Sequence, residues 1–329
     1  MFKRKKYFGI IAPDYKDIRD YKLSSIQKNE EILPNNFILI GDMPSIQSQY
    51  WGSCTSHAVD GVKEYQEKIE YGKELKLSNR FIYYNTKVIS GLWNDQGDYI
   101  RNALKAVQTY GVPTEEEFPD TRDGSWTNYM KKKPSGANYE QALIHKSGNY
   151  FRVDNNINAF KQACYINQTP LVTGMLWHKN YKPDNTGLLQ LPDLTQPAGG
   201  HAISYVGWTI GKEWFRNSWG TNHGKDGYFY IPTSEFSNHI FWDAWVLLDL
   251  PNIVADNKIG FVAQKYIDLE HKFSPGQTVK PTTRVLNMRL TPNGDIVDKF
   301  LESDSAVIID DPLNGILKDG YRWWKIKKN

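Results

Sequence analysis

The chain has 329 residues, with 40 lysines and arginines against 37 aspartates and glutamates, a net charge of +3 and 40% hydrophobic residues. That length admits two or three domains, and that composition builds a packed core rather than a disordered chain. A charge balance so close to neutral argues against nucleic acid as a partner, and the basic runs at 3–6, 131–133 and 325–328 read as solvated charge.

The first 44 residues are polar and turn-rich. The apolar stretch Tyr7–Ala12 is too short for a signal peptide, and no window reaches eighteen consecutive apolar residues, so no membrane partner is expected. Order begins at Gly52-Ser53, a turn with an N-cap candidate. Cys54, Ala58, Gly61, Val62 and Tyr65 then recur at helical spacing, which predicts a helix from Ser53 to about Glu70 with Cys54 in its first turn. Further helices are expected over about 78–89, over 98–110, where Gly111 and Pro113 stop it, and around 157–164. Residues 120–149 are polar and read as an irregular surface excursion. From Pro170 the texture changes to strands: "PLVTGMLW", "HAISYVGW", "EWFRNSWG", "GYFYIP" and "DAWVLLDL". Helices first and strands second point to an α+β fold with a cleft between the halves. Residues 251–280 resemble a linker with partial strand. Residues 281–329 show four or five short strands with turns at 292–294, 314–315 and 319–320, the pattern of a small β-barrel.

Only two cysteines are present, too few for a disulfide framework. A thiol attacks as thiolate, from a free pKa of roughly 8.5, and a helix N-terminus with a nearby imidazolium favours that form. Cys54 has the helix start, and the imidazole must come from one of seven histidines. His57 lies one turn along from Cys54 and reads as a core or structural residue. His145, His239 and His271 sit in polar contexts without a partner pattern, and His178 follows a strand end. His201 opens a strand after Ala198-Gly-Gly200, and Asn217 follows sixteen residues later. An amide that accepts the imidazole N–H would hold one tautomer in place, and Trp219 could shield that bond from water. The N–H of Cys54 and a glutamine side chain, Gln47 or Gln49, could together form an oxyanion hole. Neither a metal nor a cofactor is expected.

These segments resemble the papain-like cysteine peptidases, over roughly residues 10–250 and in the family's order. "WGSCTSHA" is similar to the nucleophile segment, "AGGHAISYVGW" to the histidine segment and "FRNSWGTNHGKDGYFYIP" to the asparagine segment. Gly-Ser-Cys-Thr in place of Gly-Ser-Cys-Trp is closest to the microbial and viral branch. The resemblance implies a helical half and a β-barrel half, a protein or peptide substrate, and an acyl-enzyme route. It assigns Cys54 as nucleophile, His201 as general base and acid, Asn217 as the residue orienting it and Trp219 as its cover. Gly97 would lie in the cleft wall, and Ala202 would border a substrate subsite. The family's oxyanion glutamine stands six residues before the cysteine, where this chain has Ser48; the "SIQSQ" lead-in favours Gln49. His223 stands where a tryptophan is common, and 147 residues separate Cys54 from His201, at the long end of the roughly 130–150 typical of the family. No long propeptide precedes Cys54, so residues 1–44 are expected to act as a strap within a domain spanning 1–250.

Residues 281–329 resemble bacterial SH3-like domains through "RVLNMRLTPNGDIV" and "DGYRWWKIK". That implies a cell-wall or assembly partner. Two other functions fit the same residues: a structural or binding protein of a virion or cell surface on a peptidase fold, and a hydrolase of cell-wall peptides.

Overall fold

The computed structural model describes residues 13–248, apart from 16, 18, 19, 28–30, 122–124, 179 and 192–196, and beyond them only the backbone of strands between 259 and 328. The basic runs at 3–6, the stretch Tyr7–Ala12 and His271 lie outside the described residues. Two compact units divide the chain, Met1–Pro251 and Asn252–Asn329.

In the first unit, β1 (Phe37–Ile38) precedes a helical section of α1 (Cys54–Tyr71), α2 (Asn79–Ser90), α3 (Ile100–Tyr110), α4 (Trp126–Lys131) and α5 (Gly136–Ala142). β2 (Tyr150–Val153) and α6 (Ile157–Asn167) lead into β3 (Leu171–His178), β4 (Pro197–Thr209), β5 (Lys212–Arg216), β6 (Tyr228–Pro232) and β7 (Phe241–Leu247). The sheet runs β2-β7-β3-β4-β5-β6, with β1 added along β4. Helices and strands therefore segregate, as the α+β reading expects.

The sheet's period of two assigns its faces. Ala202 of β4 and Val172 of β3 join Cys54, Ala58, Val59 and Val62 of α1 in one buried cluster. Their neighbours Ile203, Tyr205 and Leu171 face the other way, onto Phe160, Ala163 and Cys164 of α6. Helix α1 is thus seated against the middle of the sheet, and its first residue lies beside β4. Ser53 occupies the N-cap position without a side-chain capping bond, and its hydroxyl donates to Trp51 O at 3.4 Å instead. Gly72, at φ +67°, ends the helix.

Residues 120–149 are not an irregular excursion. They hold α4 and α5, capped by the hydroxyls of Ser125 and Ser135. Tyr129, Met130 and Ala142 are buried. The Arg80 guanidinium lies 4.3 Å from the Tyr129 ring centre and donates to Thr121 Oγ1 at 2.8 Å. A Cβ on Gly111 would come within 1.8 Å of Ala142 O, the carbonyl that Val112 N–H bonds at 3.0 Å. The polar residues that suggested a loop are helix caps, and a few aromatics carry the packing. His145 lacked a partner pattern in the sequence, yet it is buried with Nδ1 2.7 Å from Glu67 Oε2.

The N-terminal segment is tied down around Asp14, which is 7% exposed. Its N–H donates to Asp243 Oδ2 at 2.5 Å, and its carboxylate accepts from Trp245 Nε1 at 3.1 Å and from Arg101 N–H at 3.2 Å. Burial first, and Asp243 second, push the Asp14 carboxyl up to about 7 against the pull of Arg101 and Arg152. Burial likewise raises Glu64 and Glu115 to about 7 and Asp95 to about 6. Glu67 goes the opposite way: burial opposes it, but Lys63 and His145 bring it down to about 2. The raised groups hold protons in the folded chain at pH values where the unfolded chain has lost them. Their contribution is complete below about pH 4 and fades as pH rises through 6 to 7. The unfolding midpoint is expected to rise by about 5–10 °C between pH 8 and pH 5, and to fall again at lower pH as carboxylates held below their ordinary values, Glu67 above all, protonate. A melting series that stays flat or declines over pH 8 to 5 would contradict this.

The second unit contains β8 (Ile259–Ala263), β9 (Thr278–Val279), β10 (Val285–Arg289), β11 (Ile296–Leu301), β12 (Ala306–Ile308), β13 (Ile316–Lys318) and β14 (Tyr321–Lys328). They form one sheet in the order β11-β10-β8-β14-β12-β9, with β13 on β14. The pairings are antiparallel. β8 and β9 lie inside 251–280, the stretch read as linker or partial strand. No helix among the described residues is long and apolar enough to cross a membrane.

Candidate active site

Cys54 is the first residue of α1 and is fully buried. The N–H groups of a helix's first turn have no carbonyl in their own helix, so they and the helix dipole favour negative charge there. Ala202 N–H points at the sulfur, 3.4 Å from N to Cys54 Sγ. His201 is the preceding residue of β4 and shows no exposed surface. Its register partner is Met175 on β3, so the neighbouring strand sets its position. Distant parts of the chain, α1 and β4, therefore bring the thiol and the imidazole to one place.

His201 Nε2 lies 2.8 Å from Asn217 Oδ1. That oxygen also accepts Ser218 N–H at 2.7 Å, which fixes it as the acceptor end of the amide. His201 Nε2 must then carry the proton, and Nδ1 is the basic nitrogen. Trp219 stacks on the His201 ring at 4.3 Å between centres and 23° between planes. Trp177 meets the same ring edge-on at 5.3 Å. Two indoles thus wall the His201–Asn217 bond from water, which strengthens it.

The two glutamines take different sides. Gln47 Nε2 donates to Asp60 Oδ2 at 2.7 Å and to Glu64 Oε1 at 3.2 Å, and Gln47 Oε1 lies 2.7 Å from His57 Nδ1. It is committed to the polar flank of α1, where Arg216 also lies: a Cβ on Gly61 would meet Arg216 Nη1 at 2.0 Å. Burial, with Glu64 adding to it, holds Asp60 well above the usual carboxylate range. Gln49 belongs to the other side. Its N–H donates to Ser218 O at 2.7 Å, its Oε1 accepts from Ser218 Oγ at 2.6 Å, and its Nε2 donates to Trp51 O at 3.2 Å. Ser218 follows Asn217 in sequence, so Gln49 is moored beside the histidine–asparagine pair. An amide nitrogen carries two N–H groups, and the bond to Trp51 uses one.

Gly97, at φ +83°, lies against the turn before Cys54: a Cβ on Gly52 would come within 3.0 Å of Gly97 N and 2.7 Å of Asp95 O. Gly52 N–H donates to Asp95 Oδ1 at 2.7 Å. Cys54, His201, Asn217, Trp219, Gln49, Gly97 and Ala202 thus lie in one region, and Gln47 faces away from it. Sequence reasoning missed Ser218, the anchor of Gln49, although its place next to Asn217 was a usable signal. It missed Asp95. His57 is buried and is the partner of Gln47, a core and structural place in keeping with its position one turn along from Cys54. Sequence reasoning placed His223 where a tryptophan is common but did not foresee its contact with the triad amide: Asn217 Nδ2 lies 3.3 Å from His223 Nδ1.

The family model described as Papain family cysteine protease matches residues 43–240. A peptidase C1-like protein of Acanthamoeba polyphaga mimivirus is 27% identical over 271 residues, covering 75% of this chain and 85% of the relative. Cathepsin Z of Onchocerca volvulus is 24% identical, covering 69% and 72%. Among solved structures, Xylellain, a cysteine protease from Xylella fastidiosa, superposes with a TM-score of 0.66 at 31% identity, covering 76% of this chain and 98% of that one. A cysteine protease of Carica candamarcensis shares the fold with a TM-score of 0.51 at 21% identity, covering 66% of this chain and 99% of that one.

Proposed function

Because this chain belongs to the papain family of cysteine proteases, we propose that it cleaves its protein or peptide substrates through Cys54, His201 and Asn217, with Gln49 in the oxyanion hole. The observation that carries this assignment is the 2.8 Å bond from His201 Nε2 to Asn217 Oδ1, covered by Trp219, on the strand whose next residue touches the Cys54 sulfur.

The chemistry follows from the tautomer. With Nε2–H held by Asn217, His201 Nδ1 takes the thiol proton, giving a thiolate and an imidazolium. The thiolate attacks the substrate carbonyl carbon, and the carbonyl's electron pair moves onto oxygen. That oxyanion is met by the N–H of Cys54 and the side-chain N–H of Gln49. As the tetrahedral species collapses, the imidazolium gives its proton to the leaving amine and an acyl-thioester remains on Cys54. Water, deprotonated by His201, attacks the thioester, and the departing thiolate restores the pair. Gly97, on the wall beside Gly52, and Ala202, against the sulfur, border the substrate.

The all-antiparallel second unit supports the finer reading of an SH3-like domain, whose partner would be a cell-wall peptide or an assembly surface. Co-sedimentation of the full chain with purified cell wall tests this.

A thiol-directed epoxide tests the site. Native protein treated at neutral pH is expected to carry one adduct on Cys54, located by peptide mass spectrometry, with casein hydrolysis lost in step with labelling. Persistent hydrolysis by unlabelled protein, or an adduct on Cys164, overturns the assignment.

A further inference from the structure

His223 sits behind the active-site asparagine and provides a hydrogen-bond acceptor, which an indole at that place would not. We propose that His223 is a positioning residue, whose Nδ1 lone pair holds the Asn217 side chain with its oxygen toward His201. This rests on the triad assignment above and adds a fourth side chain to it.

An asparagine amide is symmetric in shape but not in chemistry. Only one of its two orientations presents an acceptor to His201 Nε2–H. Asn217 Oδ1 receives His201 Nε2 at 2.8 Å and Ser218 N–H at 2.7 Å, both donors. Its Nδ2 end faces His223 Nδ1 at 3.3 Å. A nitrogen with a lone pair there accepts from the amide, which makes His223 the Nε2–H tautomer. A flipped Asn217 would set its NH₂ against two donors and its oxygen against a lone pair. Three contacts therefore oppose the flip, and His223 makes one of them.

The ring is held in place to do this. His223 meets Trp219 edge-on at 4.8 Å between centres and lies 6.1 Å from Trp177. Trp219 stacks on His201 with its face, so the two histidines share one indole as a spacer. The backbone of the loop is pinned as well. His223 N–H donates to Gly220 O at 3.3 Å, its carbonyl accepts Gly227 N–H at 3.2 Å, and Asn217 N–H donates to Gly227 O at 3.0 Å. The segment that carries His223 is thus tied back to the residue it orients.

The test separates the acceptor from the packing. Asparagine places its Oδ1 where histidine has Nδ1, glutamine reaches one bond too far, and leucine offers no acceptor. His223→Leu and His223→Gln are each expected to lower kcat and the iodoacetamide alkylation rate of Cys54 about tenfold, with KM unchanged. His223→Asn, which loses the aromatic ring but keeps the acceptor, is expected to restore both to within about threefold of wild type. Equal losses in all three variants would assign His223 a packing role and overturn the proposal, as would wild-type kcat in His223→Leu or His223→Gln. If one variant fails to fold, the comparison of His223→Asn with the other decides. The wild-type protein and Cys54→Ala, run alongside, report on the triad itself: wild-type alkylation equal to that of Cys54→Ala would sink the triad assignment instead.

Discussion

Cys54→Ala is expected to lower peptide hydrolysis by about 10⁴-fold or more while leaving the melting temperature nearly unchanged. The neighbouring serines do not replace it: the Ser53 and Ser218 hydroxyls are committed to Trp51 O at 3.4 Å and Gln49 Oε1 at 2.6 Å, and neither has an imidazole to take its proton. Cys164→Ala is the control. That thiol is fully buried among Phe160, Ala163 and the sheet, and burial pushes its pKa far up, so it stays protonated and out of reach. Its loss is expected to cost roughly 1–2 kcal/mol of stability through the small cavity it leaves and to leave kcat unaltered. Initial rates on casein and a calorimetric scan of both variants check the pair. Activity retained in Cys54→Ala would end the cysteine-protease mechanism at this position.

Gln49→Ala is expected to reduce kcat by roughly 10²- to 10³-fold with little change in KM, the signature of a donor that acts on the developing oxyanion. Gln47→Ala is expected to behave differently. It strips Asp60, Glu64 and His57 of a shared partner, and a buried polar group left unsatisfied costs about 1–3 kcal/mol. Its main effect should be a lower melting temperature, with kcat within a few-fold of wild type. The physical basis is the direction of each amide: Gln49 is moored to Ser218, next to Asn217, and Gln47 to α1's polar flank. Steady-state kinetics and melting curves for the two variants distinguish them, and exchanged phenotypes would give the oxyanion role to Gln47.

The site was legible in the sequence to the extent that its chemistry is local. "WGSCTSHA" announces a turn followed by a helix, and it puts a cysteine at the N-terminus without further information. "GGHAISYVGW" reads as a strand from its β-branched and aromatic residues, and "RNSWG" supplies an amide and an indole together. The helical half was legible for the same reason, because its apolar stripes repeat within one element. The excursion at 120–149 was not. Its capping serines and its arginine and tyrosine contacts look polar until α2 and α3 are placed beside them. The anchor of the N-terminal 44 residues was hidden in the same way. Asp14 is an ordinary surface residue in the sequence, and only Arg101, Trp245 and Asp243, from 87 to 231 positions away, make it a buried anchor.

Residue types, helix starts and strand texture were therefore determined by the sequence alone: a thiol at a helix N-terminus, an imidazole on a strand, an amide sixteen residues on, and an α+β order. Only the tertiary structure decided that Gln47 bonds the polar flank of α1 while Gln49 bonds Ser218, that His223 Nδ1 lies against the Asn217 amide, and that His57 meets Gln47 and His145 meets Glu67. Local rules govern backbone preference, which depends on residues three or four apart. Side-chain direction and hydrogen-bond partnership depend on what the fold brings within about 3 Å, and consecutive glutamines two residues apart can face opposite sides of the same loop.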